Sequence, residues 1–235
     1  MSVGLYVARL AAEVLAKNEA AVRAYREFPD VTMHWCMVDL VGSSNFRLTQ
    51  GPERGYIRGE NFLSLVAAAI RPYGDVRIVK EIGDAALLCS GSVRPLLEAC
   101  TLMKLAADQL APLAPSADLP FGIRMGIDFG VAKRLARPNE DYLGESIDRL
   151  ARIMTIRSER ATILIGEKAF KHNERMLITE YADLCSFSHP LHLHLPPEKE
   201  LSEQVIYREV LLSQEKAPYF EGYFSEWKKA GGHRT

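Results

Sequence analysis

Apolar and polar positions alternate with two different periods along this chain. Residues 5–28 space their Ala, Leu and Val residues as an amphipathic helix does. "VTMHWCMVDLV" (31–41) is a continuous apolar run of strand length. "GSSNFRLTQGPERG" has the composition of a loop. "YIRGENFLSLVAAAIRPYG" then shows helical spacing until Pro72 and Gly74 stop it. "DVRIVKEIG" and "AALLCS" are β-rich runs that meet at Gly83-Asp84, a hairpin signal.

Residues 92–113 predict a long helix with Ser92 as its N-cap. A Pro-rich connector follows, "APLAPSADLP". The strand "FGIRMGIDFGVAKRLA" comes next, and its Gly126 and Gly130 predict bulges or a close backbone approach. "RPNEDYLGE" reads as a loop, "SIDRLARIMTIRSE" as a helix and "ATILIGE" as a strand. A helix follows Lys168, and residues 187–210 hold two further strands. Helices interleaved with a mostly antiparallel sheet predict an α+β, ferredoxin-like fold with helices on one face. The expected division is a helical extension over 1–30, one catalytic domain over 31–212 and a peripheral tail over 213–235.

Composition changes this picture little. The 235 residues are 48% hydrophobic and 25% charged, enough for a real core. A net charge of −1 creates no strong field toward nucleic acid or anionic membrane, so neither partner is expected. Cys36, Cys89, Cys100 and Cys185 show no C-x-x-C spacing and read as buried free thiols of a reducing compartment. No secretory signal and no bilayer-length apolar run is visible, so a cytoplasmic location is expected.

The candidate chemistry begins at Asp84. Gly-Asp is ordinary turn chemistry by itself. Asp39, at the end of the first strand, changes its meaning. In a split β-α-β-β core the first strand and the hairpin are neighbours, and Asp39 and Asp84 then meet at one sheet edge. Two converging carboxylates repel, and Mg²⁺ or Mn²⁺ would neutralise them. Leu40, Val41, Gly42, Ser43 and Ser44 follow, a junction of small residues whose backbone N–H groups suit phosphates. Metal carboxylates beside such a turn make a phosphoryl-transfer site.

"MVDLVGSS", "VKEIGDAALL", "IRMGIDFGVA" and "DYLGESIDRLARIM" resemble, in order and approximate spacing, the motifs of the class III nucleotidyl cyclase catalytic domain. The resemblance covers roughly residues 31–170. It implies a head-to-tail homodimer with active sites at the interface. One subunit would supply Asp39 and Asp84 to hold two divalent metal ions. The other would supply Arg152, to stabilise charge on the transferring phosphate, with Lys80 and Asp141 reading the base. Asp148 departs from that pattern, in which Asn is usual. An ionised Asp only accepts hydrogen bonds, so it must be protonated, contact a sugar hydroxyl or orient Arg152, four residues on. The late lysine that holds terminal phosphates is also missing, because residues 185–210 contain only Lys199. His192 and His194 share a strand face but have no further ligand nearby, which favours a structural role.

A Lys–Asp pair resembles that of adenylate cyclases, yet it also fits cytosine and uracil, and fits guanine worst. Pocket size must then choose between purine and pyrimidine, and Tyr56, Phe46 and Trp35 are the bulky candidates, Tyr56 first. "DLVGSSNFRLTQGPERGYIRGENF" followed by "KEIGDAALL" is similar to the pyrimidine cyclases of bacterial Pycsar antiphage systems. That resemblance implies cyclic UMP, then cyclic CMP, as product, acting on a separate effector. The alternatives are an ordinary adenylate cyclase and an inactive nucleotide-binding module.

Overall fold

The computed structural model describes residues 3–110, 122–135, 141–156, 161–193 and 204–213. In chain order these form α1 (Val3–Glu27), β1 (Asp30–Leu40), α2 (Ser43–Gln50), α3 (Pro52–Ile70), β2 (Arg77–Ile82), β3 (Ala85–Ser90) and α4 (Val93–Leu110). They continue as β4 (Ile123–Leu135), β5 (Asp141–Leu143), α5 (Glu145–Ile153), β6 (Thr162–Gly166), α6 (Glu167–Glu180), β7 (Cys185–Phe187), β8 (Leu191–His192) and β9 (Ile206–Leu212).

The sheet order is β2-β3-β1-β4-β6-β9-β7, with β5 on β4 and β8 on β9. Among the described residues only the β4–β6 pairing is parallel. This is the mixed, mostly antiparallel α+β architecture expected from the sequence. β1 is central because its side chains are apolar toward both faces. Cys36, Val38 and Leu40 join the larger core, with Phe62 and Val66 of α3, Leu96 and Met103 of α4, and Phe170 of α6. Trp35 faces the other way and packs with Leu87, Cys89, Tyr142 and Leu150.

Helices therefore cover both faces, not one. α3, α4 and α6 lie on one side, and α5 seals the second cluster through Leu150. Gly126 makes this approach feasible, since a Cβ there would stand 2.9 Å from Leu150 Cδ1 and 3.1 Å from Met154 Sδ. Trp35 is a core residue, fully buried and donating from Nε1 to the Gly130 carbonyl at 3.1 Å. This corrects its candidacy as a pocket residue.

Residues 42–55, expected as a loop, are mostly helical. Gly51, at φ 93°, separates α2 from α3, and Pro52 opens α3 at a position where its missing N–H costs nothing. The 137–145 loop contains β5, which pairs with the end of β4. Among the described residues the C-terminal region holds three strands, β7, β8 and β9, where two were expected over 187–210. All four cysteines are free and buried. Among the described residues no helix is long and apolar enough to cross a membrane. His194, Lys199 and residues 214–235 lie outside the described residues.

Candidate active site

β1 and the β2–β3 hairpin end together. Asp39 sits opposite Ala85 on β3 and Arg124 on β4. Gly83, at φ 64°, supplies the left-handed residue that the hairpin turn requires. The Leu40 N–H donates to the Asp84 carbonyl at 3.2 Å, fixing the turn against the strand end. The two carboxylates act on one another: burial raises the Asp39 pKa first, Arg124 opposes that rise, and Asp84 adds to it. Asp84 Oδ2 is fully buried and has no hydrogen-bond partner among the described residues.

That orphaned oxygen is the test of whether a divalent cation fits. A buried carboxylate oxygen without a donor costs roughly 1–3 kcal/mol or more, and a hard cation removes the penalty with oxygen ligands. The donor set is two carboxylates; among the described residues no group of three or more His, Cys, Asp or Glu forms, here or elsewhere. Two carboxylates plus substrate oxygens is the pattern by which Mg²⁺ is usually held. The residues fit the ion.

Two arginines at this corner were not singled out by sequence. Arg124 Nη2 donates to Asp39 Oδ2 at 2.6 Å, and its Nη1 donates to the Ile156 carbonyl at 2.6 Å. One guanidinium thus ties the metal-capable carboxylate to the turn that follows α5. Arg58 is 2% exposed, donates to the Val41 carbonyl at 3.2 Å and lies 4.5 Å above the Phe46 ring. Its charge also acts on Asp84. Arg58 had a readable signal, for it occupies the apolar stripe of α3 with Phe62, Val66 and Ala69. A cation in a core stripe needs a partner.

The expected phosphate turn is narrower than its sequence. The Leu40 and Val41 amides are already used, by Asp84 and by the Gly122 carbonyl at 2.8 Å. Gly42, Ser43 and Ser44 remain. Gly42 is left-handed at φ 71°, and α2 starts there with no side-chain cap. Its first N–H groups carry the positive end of the helix dipole. Phe46 is half-buried beneath Arg58, while Tyr56 is 68% exposed on α3.

A second cluster forms where β2 meets β5. Lys80 Nζ lies 3.2 Å from Asp141 Oδ1 and 3.4 Å from Oδ2. The Tyr142 N–H also donates to Asp141 Oδ1, at 2.9 Å. Residues 61 apart in sequence thus set an ammonium donor beside a carboxylate acceptor. β5 runs through Gly144 directly into α5, where Asp148 is exposed and Arg152 half-buried one turn later. His192 is exposed on β8, and among the described residues no metal-ligating cluster forms around it.

No family model matches the sequence, and no curated protein matches it. Solved structures do. The fold is similar to that of the guanylyl cyclase Cya2, at 15% identity and a TM-score of 0.62, covering 81% of this chain and 97% of that one. It is also similar to the adenylyl cyclase CyaB from P. aeruginosa, at 18% identity and a TM-score of 0.63, over 80% and 97%. An adenylate/guanylate cyclase/hydrolase from Silicibacter pomeroyi matches at 19% identity and a TM-score of 0.59, over 78% and 98%. The chain shares the fold of these class III adenylyl and guanylyl cyclase domains.

Proposed function

We propose that this protein is a nucleotidyl cyclase, converting a nucleoside triphosphate to a 3′,5′-cyclic nucleotide and pyrophosphate. The observation that carries the reading is the convergence of Asp39 and Asp84 at one strand end, with a buried Asp84 oxygen that lacks a donor. Asp39 and Asp84 would hold two divalent ions, Mg²⁺ or Mn²⁺. When bound, such ions lower the pKa of the ribose 3′-hydroxyl and screen the triphosphate.

The chain's own residues do the rest. Gly42, Ser43 and Ser44 offer backbone donors to phosphate oxygens at the start of α2. Arg124 keeps the Asp39 carboxylate oriented, and Arg58 holds the Val41 carbonyl so that the turn keeps its shape. Arg152, from the second subunit of a homodimer, neutralises charge that builds on the transferring phosphate. Asp148, which accepts but does not donate when ionised, orients Arg152 or takes a sugar hydroxyl.

Lys80 and Asp141 present a donor and an acceptor side by side, which suits the adenine and cytosine edges in one order and the uracil edge in the other; guanine, whose O6 and N1–H repeat the O4 and N3–H of uracil, is not the worst fit that the sequence reading expects. We infer a pyrimidine substrate, UTP ahead of CTP, from the sequence resemblance to the antiphage pyrimidine cyclases. Tyr56 is the residue proposed to shorten the pocket, and the product would act on a separate effector. The Lys80–Asp141 pair fits ATP equally well, so adenylate cyclase activity is the second reading. Incubating the protein with Mn²⁺ and each of the four triphosphates, then identifying products by mass, decides between them. Cyclic UMP or cyclic CMP as main product is expected; cyclic AMP would replace the pyrimidine reading, and no cyclic product would end the enzyme reading.

A further inference from the structure

Far along β4 from the carboxylate corner lies a second polar site. Arg124, beside Asp39, and Asp128, opposite Trp35, are four residues apart on β4, about 13 Å along the strand. Asp128 is 1% exposed. Its Oδ2 accepts from Arg149 Nε at 2.9 Å, and Arg149 is itself 6% exposed. Its Oδ1 is buried with no hydrogen-bond partner among the described residues. A Cβ at residue 166 would stand 2.6 Å from that Oδ1, so Gly166 is what leaves the oxygen its room.

Asp128 is among the residues that line a cavity of about 320 Å³. α6 begins at the cavity with no side-chain cap, and Lys168 and Lys171 stand on its first turns. Glu167, also at the wall, is held by Arg208 through two bonds of 2.8 and 3.1 Å. The cavity therefore combines an uncapped helix N-terminus and two lysines with one buried acceptor in want of a donor. The first set attracts an anion. The acceptor rejects any anion that brings no hydrogen.

Monoprotonated phosphate is both anion and donor. A phosphate monoester has its second pKa at about 6 and carries a proton in roughly a quarter of its population at pH 6.5; sulfate carries none there. The volume exceeds what a bare tetrahedral oxyanion fills, and Ile153, Val205 and Ile206 form an apolar wall for an organic body. We propose that this cavity is a second ligand site, separate from the carboxylate corner, which binds a small phosphate monoester through one P–OH to Asp128 Oδ1. The remaining phosphate oxygens accept from the α6 N-terminus, Lys168 and Lys171.

Calorimetric titration of the full chain with ribose 5-phosphate, inorganic phosphate and sulfate near pH 6.5 tests this. Ribose 5-phosphate should bind at one site per chain, and sulfate should bind roughly tenfold or more weakly, because its oxygen would face Asp128 Oδ1 without a hydrogen. Inorganic phosphate binding as tightly as the sugar phosphate would keep the protonated-phosphate site and make free phosphate its source. Asp128→Asn, whose amide donates, should lose the preference over sulfate. Should that buried substitution fail to fold, Lys168→Gln with Lys171→Gln, both exposed, carries the test and should weaken binding at least tenfold. No binding, sulfate binding equal to phosphate, or binding unchanged in the lysine double variant would each overturn the proposal. These outcomes do not depend on catalysis.

Discussion

At the scale of single residues, the carboxylate corner is a balance of charges. Asp39 and Asp84 repel one another, and Arg124 and Arg58 supply opposite charge from two sides. Asp84→Asn removes half of the carboxylate pair while keeping shape and a hydrogen-bonding group. It should abolish turnover yet shift stability by no more than about 1 kcal/mol, because a repulsion is removed with the charge. Activity assays beside urea unfolding check this, and retained turnover would remove Asp84 from the site. His34 makes a separate prediction. It is buried beside His172 and Phe129, and its Nε2 lies 2.9 Å from Asn173 Nδ2. Burial first, then the charge of His172, lowers its pKa from 6.5 to about 4. The unfolded chain therefore binds more protons between those values. Stability is full above about pH 6.5 and falls, by on the order of 3 kcal/mol, as pH drops toward 4. Urea midpoints across that range should show the loss, and His34→Gln should flatten it.

At the scale of elements, what could be read beforehand depended on local pattern. The alternation around Gly83-Asp84 was enough to place the hairpin, and the apolar run of 31–41 was enough to place β1. Gly126 announced a close approach, and α5 is what approaches. α2 was missed because its eight residues bury no side chain, so no apolar stripe marked it. β5 was missed because three residues carry too little periodicity, and only pairing with β4 extends them. Arg124 and Arg149 escaped notice for a related reason: each earns its role from a partner 85 or 21 residues away. The junction of β5 and α5 also carries a prediction. A Cβ at Gly144 would stand 2.7 Å from the Ala132 Cα and 2.7 Å from the Val131 carbonyl oxygen, both backbone atoms of β4. Backbone yields less readily than side-chain ends. Gly144→Ala should cost about 1–3 kcal/mol and lower turnover beyond its effect on stability, because Asp141 and Arg152 flank the displaced joint. Unfolding midpoints and kcat measured together would show it, and an unchanged kcat would separate this joint from catalysis.

At the scale of the whole molecule, the sheet runs from Asp30 to Leu212 and carries two polar clusters on one scaffold. The carboxylate corner closes the end of β1, while Lys80 of β2 and Asp141 of β5 form a separate ion pair. The likeness to adenylyl and guanylyl cyclase domains extends over about four-fifths of the chain, 81% in one case and 80% in another. The split of the site between two copies is the claim on which the functional account turns. Asp84→Ala and Arg152→Ala proteins should each be inactive alone, for opposite reasons. Mixed together, they form a heterodimer in which one interface keeps both intact halves. The measurement is cyclic nucleotide formed by each variant alone and by their equimolar mixture with Mn²⁺. The account predicts silence from each variant and clear activity from the mixture; a mixture as silent as its components would contradict it.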